Sequence, residues 1–228
     1  MGKVWSINNN FGENKKIKEN YIFILSFILP MVIMFVVFTS LGVGFIGDKT
    51  IVSSDMYTQY VAYFGKFKDI LSGDGSIFYS FNKSIGGNNI GLFAYYLASP
   101  LNLLLILFPK AAIGEFIFII YLIKIGLASL CFSLYISKVY KKKDLFVVIF
   151  SLCYALMSYN ICFQMNIMWM DGMMLLPLVA LGIEEIILKG KYKLYMIVLF
   201  MVVVSNYYIG YMICIFSVVY FFYKSIIY

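Results

Sequence analysis

Asp55 stands in Ser54-Asp55-Met56-Tyr57-Thr58-Gln59-Tyr60, a polar run bordered on both sides by apolar chain. A carboxylate partly shielded by tyrosines can take a proton from an acceptor hydroxyl or hold a divalent cation; a solvated or helix-capping aspartate is the plainer alternative. Asp171, in Trp169-Met170-Asp171-Gly172-Met173, is a second candidate, with an N-cap as its structural alternative. Lys124 is a third. It falls about 8 residues, roughly 12 Å, into the apolar stretch Phe116 to Ile136, where charge is costly. It either snorkels to the outer interface or turns into the bundle and pairs with a carboxylate or a ligand phosphate. An unpaired ammonium there costs about 2.5 to 3.5 kcal/mol, so a purely structural lysine should be replaceable by Leu without loss of insertion.

The chain has no histidine, which excludes Ser-His-Asp and Cys-His catalysis and any His-ligated metal. Ionisable chemistry falls to 11 carboxylates, the lysines and the tyrosines. Cys131, Cys153, Cys162 and Cys214 lie in apolar runs without metal-ligand spacing and read as small buried hydrophobes. Gly86, Gly87 and Gly91 lack the strand-to-helix context of a phosphate cradle. Glu184 and Glu185, beside Lys189, suit pairing at a helix end, and Asn82-Lys83-Ser84 fits the short glycosylation sequon.

The elements that must position these residues are membrane helices. The chain is 63% hydrophobic and 13% charged with mean hydropathy +0.90, far from the roughly 25% charged residues of a soluble domain. Apolar blocks of roughly 16 to 22 residues are helices rather than barrel strands. All 18 basic residues are lysines gathered at helix ends, so the net charge of +7 signals orientation and not nucleic acid.

Lys3, Lys15, Lys16 and Lys18 precede the first apolar run, Tyr21 to about Leu41, and place residues 1–20 in the cytoplasm. That run is too long for a signal-peptide core and no A-x-A-like site follows, so it is retained as a helix. A large extracytoplasmic loop, about 42–115, follows. Within it, Leu92 to Phe108 is interrupted by Pro100 and lies in the outer interface or dips in and returns, because a full crossing would put Lys138 to Lys143 outside. Phe116 to Ile136 crosses inward, Leu145 to about Phe163 outward and Met173 to Leu188 inward. Leu194 to Tyr223 forms a hairpin of two short helices turning near Asn206. The expected fold is an all-α membrane protein of about six transmembrane helices, residues 21–228 forming one polytopic domain. Twelve lysines then lie inside and five outside, with Lys124 within a helix. The chain ends soon after an apolar helix without a polar tail, so it is expected to be a fragment of something larger.

Several blocks carry a resemblance: Ser54 to Tyr60; Gly87 to Gly91 leading into Ala94-Tyr95-Tyr96-Leu97-Ala98-Ser99-Pro100-Leu101-Asn102; Asn166 to Asp171 with Leu176-Pro177-Leu178 and Gly182-Ile183-Glu184; and Asn206 to Met212. In this order they resemble the amino-terminal part of the bacterial YfhO family. That resemblance implies a glycosyltransferase C-like fold in a longer chain. It also implies transfer of sugar from a polyprenyl-phosphate carrier to a cell-envelope glycopolymer such as lipoteichoic acid, outside the bacterial cell membrane. Asp55 matches the first-loop aspartate that serves as acid-base or metal-binding residue in that superfamily. Tyr57, Gln59, Asp171, Asn206, Tyr207 and Lys124 are the expected substrate-binding residues, and a divalent cation is a candidate cofactor. A non-catalytic transporter or lipid-carrier-binding protein, with Lys124 on a translocation path, is the alternative.

Overall fold

The computed structural model describes the backbone of residues 2–81 and 85–228, and side chains within that range from Asn20 onward. The Asn82-Lys83-Ser84 sequon lies outside the described residues.

Helix α1 (Gly2–Ser40) carries its apolar stretch over Asn20–Ser40. It stops where Gly42 adopts φ +72° and the Val43 amide bonds back to the Phe38 carbonyl at 2.8 Å, a left-handed closure that glycine accommodates without strain. The polar interval that follows is structured. A π-helical turn over Met56–Tyr60 runs into α2 (Val61–Leu71), and β1 (Tyr79–Ser80) pairs antiparallel with β2 (Gly87–Asn88), Tyr79 opposite Asn88. Helix α3 (Ile90–Leu92) then continues through a second π turn, Phe93–Leu97.

A 3-10 helix, Pro100–Leu107, follows at 87° to the Ile90–Leu97 segment. Pro100 opens this second arm because its missing N–H would have had no partner there. Lys68 closes it by donating to the carbonyls of Leu105 (3.2 Å) and Ile106 (2.8 Å). The sharp bend at Ala98-Ser99 is the geometry of a segment that dips and returns or of a broken span, in keeping with the interruption expected at Pro100.

The bundle is centred on α4 (Ile113–Val139), against which α1, α5 (Leu145–Ala155) and α7 (Met170–Lys189) pack. Of its apolar stretch 67% is buried, against 28% for α1 and 22% for α9 (Tyr207–Ile227), so α4 is interior and the other two face outward. Helices α8 (Lys193–Ser205) and α9 pack on α7. Glycines let these helices approach: a Cβ on Gly126 would lie 2.8 Å from the Phe27 carbonyl oxygen, and one on Gly182 would lie 2.7 Å from Tyr195 Cα.

Among the described residues, three helices are long and apolar enough to cross a membrane: Asn20–Ser40, Lys110–Val139 and Tyr207–Ile227. The bent pair makes a fourth if it is one span. Helix α7 has the length, 20 residues or about 30 Å, but carries Asp171, Glu184, Glu185 and Lys189. The expected single helix over Leu145 to Phe163 is instead two, α5 and a short α6 (Ser158–Cys162), because the backbone turns at Leu156-Met157. Helices α5 and α8 are about 16 and 20 Å long, well short of the roughly 30 Å hydrocarbon layer. The hairpin break expected near Asn206 falls at Asn206 itself.

One reading of the cysteines is corrected. Cys131 is buried, but Cys153 and Cys162 are exposed, on surfaces of α5 and α6 turned away from the bundle. An apolar residue bordering lipid needs no protein neighbour, so apolar context alone does not imply burial within the protein.

Candidate functional site

Asp55 immediately precedes the Met56–Tyr60 turn, is exposed, and makes no capping hydrogen bond. The helix-capping alternative is therefore removed. Ser54 before it takes φ +49°, a left-handed conformation that is uncommon for a residue with a side chain and that aims the turn.

Behind Asp55 lies a cluster of tyrosines drawn from three separate parts of the chain. Tyr60 and Tyr63 come from the π turn and α2, where spacing of three residues puts them on one face. Tyr95 and Tyr96 come from the bent segment, and Tyr207 and Tyr208 from the start of α9. The Tyr96 ring lies 5.3 Å from Tyr60, 4.7 Å from Tyr63 and 4.7 Å from Tyr95; Tyr95 in turn lies 5.7 Å from Tyr207 and 6.3 Å from Tyr208. These are edge-on and tilted aromatic contacts at favourable separations. Hydrogen bonds fix the cluster: Tyr96 donates to Gln59 Oε1 (3.0 Å), Trp169 Nε1 donates to the Tyr95 hydroxyl (3.2 Å), and the Tyr60 hydroxyl donates to Met168 Sδ (2.9 Å) and Asn166 Oδ1 (3.3 Å). Burial, then the neighbouring Tyr96 and Tyr95 and the Asp55 carboxylate, hold the Tyr60 phenol well above its ordinary pKa, so it remains a neutral donor. Burial, then Tyr63 and Tyr95 and after them the Asp55 carboxylate, also raise the Tyr96 phenol above its ordinary pKa.

Beneath this layer is a buried ion pair. Lys124 Nζ lies 2.6 Å from Asp171 Oδ2 and donates to the Ile167 carbonyl at 2.8 Å, and Ser99 Oγ donates to Asp171 Oδ1 at 2.8 Å. Both charged side chains are 1% exposed. Of the options open to Lys124, the structure realises pairing with a carboxylate, not snorkelling and not a site open to a phosphate. Asp171 is no N-cap either: it lies in the first turn of α7, where the helix dipole favours its charge, and both its oxygens are used inside the protein. Ser99 occupies the corner of the bent segment, so the pair ties α4, α7 and that corner together.

Asn206 is also internal. Its Oδ1 caps α9 by accepting from the Ile209 amide (2.9 Å) and its Nδ2 donates to the Tyr95 carbonyl (2.8 Å), leaving it 1% exposed. The expected site residues thus divide. Asp55, Tyr57 and Tyr207 are exposed and Gln59 is half-buried, whereas Lys124, Asp171 and Asn206 are consumed in holding the layer beneath. Sequence reasoning missed Tyr60, Tyr63, Tyr95, Tyr96 and Trp169; the three-residue spacing of Tyr57, Tyr60 and Tyr63 was the available signal. At the opposite end of α7, Glu184 is also buried, receiving Lys224 at 2.6 Å and the Tyr220 hydroxyl at 2.8 Å, while Glu185 is the partner of Lys138 and Lys189, each at 3.8 Å.

Among the described residues no three acidic or cysteine side chains gather, Asp55 stands as a lone carboxylate, and Asp171 is committed to Lys124. The exposed arrangement offers a proton acceptor beside aromatic faces edged with hydroxyls, a combination suited to a polar ligand with C–H faces.

No curated protein and no solved structure matches the chain. The family model described as "Bacterial membrane protein YfhO" matches residues 26–228, and the chain therefore belongs to the YfhO family of membrane proteins.

Proposed function

We propose that this chain carries the catalytic part of an extracytoplasmic glycosyltransferase that moves sugar from a polyprenyl-phosphate carrier to a cell-envelope polymer such as lipoteichoic acid. The observation that supports this most is Asp55, an exposed and uncapped carboxylate held by a left-handed Ser54 at the edge of a tyrosine cluster. Asp55 takes the proton of the acceptor hydroxyl as that oxygen bonds to the anomeric carbon. The bond from that carbon to the phosphate oxygen breaks, the electron pair leaves with the polyprenyl phosphate, and the configuration inverts. Tyr57, Gln59 and Tyr207 contact substrate, the tyrosine faces receiving the sugar's C–H surface. Lys124, Asp171 and Asn206 position this layer without touching substrate. In this reading the bundle comprises about six membrane segments with the amino terminus in the cytoplasm, and Asp55 lies outside.

The alternative of a non-catalytic transporter draws no support from Lys124, which lines no open path. Asp55→Asn in the full-length protein separates the two. Catalysis predicts loss of envelope glycosylation by about 10²-fold or more with normal insertion. Unchanged glycosylation at normal protein levels refutes the enzymatic reading.

A further inference from the structure

Where α4 ends and α5 begins, at the lysine-rich end of the bundle, the two helices enclose a groove of about 730 Å³. Its walls are apolar: Phe132 and Ile136, one turn apart on α4, and Val147 and Phe150, nearly one turn apart on α5. Tyr135 lines it as well, with its hydroxyl already spent on Tyr220 at 2.9 Å. The inner end is fixed by Phe132, which stacks flat on Tyr154 at 4.5 Å. From Phe132 to Tyr140 the groove follows α4 for about 12 Å. Phe146 and Phe150, 65% and 56% exposed, border its open side.

The mouth of the groove is polar. Lys141 takes φ +55°, a left-handed conformation uncommon for a residue with a side chain, and the turn it makes brings Lys142 and Asp144 to the mouth beside Tyr140. Both charges are left over by the fold. Lys142 is exposed and has no counter-ion among the described residues; Asp144 makes no side-chain cap on α5, and the two do not pair with each other. An ammonium and a carboxylate held apart at one mouth fit a headgroup that carries an anionic acceptor and, beyond it, a hydrogen-bond donor. The loop sets the net charge of that headgroup. Lys138, Lys141, Lys142 and Lys143 outnumber Asp144, which favours an anionic headgroup over a zwitterionic one.

We infer that the groove holds one phospholipid of the phosphatidylglycerol type from the adjoining leaflet. An acyl chain lies between α4 and α5, the phosphate meets Lys142, and the glycerol hydroxyls of the headgroup donate to Asp144. Those hydroxyls give the carboxylate a partner that a phosphate alone cannot supply. The site lies at the other end of α4 from the tyrosine cluster and does not depend on the role given to Asp55.

The test is fluorescence quenching of the full chain in phosphatidylcholine bilayers by lipids brominated on their acyl chains. Phe150→Trp places a reporter in the groove, and its signal is the difference from the natural protein, whose own tryptophans are Trp5 and Trp169. Brominated phosphatidylglycerol displaces phosphatidylcholine from this position with a preference of about 10-fold or more, the lower bound for a charged hydrogen bond. Phosphatidic acid, which lacks the glycerol hydroxyls, is preferred less. Lys142→Gln brings phosphatidylglycerol to about parity with phosphatidylcholine. Asp144→Asn lowers it to the level of phosphatidic acid, and Lys191→Gln, at the same end of the bundle, changes nothing. A reporter on the exposed face of α9, Val219→Trp, shows no preference. Equal quenching by the two lipids at Phe150→Trp, the same preference at Val219→Trp, or a full preference in Lys142→Gln overturns the proposal. Phosphatidic acid binding as well as phosphatidylglycerol, or oleate displacing it at equal mole fraction, overturns the headgroup assignment.

Discussion

Replacing Lys124 should reveal how much the buried pair holds. In Lys124→Met the Asp171 carboxylate, 1% exposed, keeps only the Ser99 hydroxyl, and in Asp171→Asn the ammonium keeps only the Ile167 carbonyl and a neutral amide. Breaking a buried pair by removing one partner costs about 3 to 5 kcal/mol, because an uncompensated charge remains. That is about 10²- to 10⁴-fold in the folded-to-unfolded ratio. The double variant Lys124→Met/Asp171→Asn removes both charges and should return to within about 1 to 2 kcal/mol of the natural protein. Reversible SDS titration of the full chain in mixed micelles measures all four species. A Lys124→Met protein as stable as the natural one, or a double variant as unstable as the sum of the singles, would refute this account. The expectation also reverses what burial cost alone suggests: Lys124→Leu should be harmless if the ammonium is unpaired, and the Asp171 partner makes it harmful.

Two further outcomes test the packing and the topology. Gly182→Ala should cost about 1 to 3 kcal/mol, since its Cβ would meet the Tyr195 backbone at 2.7 Å and α8 would have to move, whereas Gly91→Ala, with nothing within 4 Å, should fall within about 0.5 kcal/mol; the same titration distinguishes them. In a background lacking the exposed Cys153 and Cys162, an impermeant maleimide added outside should label Ser76→Cys and spare Lys142→Cys and Lys191→Cys; labelling of Lys142→Cys together with Ser76→Cys would make Leu92 to Phe108 a full span.

The long apolar runs and two of the breaks were legible because each has a local chemical cause. Pro100 cannot donate a backbone bond and opens a new arm, and Asn206 caps α9 with its own side chain. The break between α5 and α6 was not legible: Ala155-Leu156-Met157 contains neither proline nor glycine. The candidate site divides in the same way. Asp55 was visible as a carboxylate in a polar run, and its exposure and lack of a cap remove only the capping reading. Lys124 was recognisable as costly, but its partner lies 47 residues away, and no periodicity spans that distance. Asn206 looked like a ligand-facing amide because hydrogen-bonding capacity reads the same in sequence whether it is spent on substrate or on a neighbouring carbonyl. The tyrosine cluster depends on contacts between chain segments up to 113 residues apart, Tyr95 with Tyr208, which only the folded bundle brings together.

The distance between Lys124 and Asp171 along the chain also constrains the order of synthesis. A ribosome adding about 5 to 20 residues per second takes roughly 2 to 9 s to travel those 47 residues. Throughout that interval α4 exists with an ammonium in its interior and no counter-ion yet made. An isolated α4 therefore carries a cost of about 2.5 to 3.5 kcal/mol in lipid that only the later arrival of α7 offsets. The most interior helix of the bundle thus receives its counter-ion only after it has itself been made.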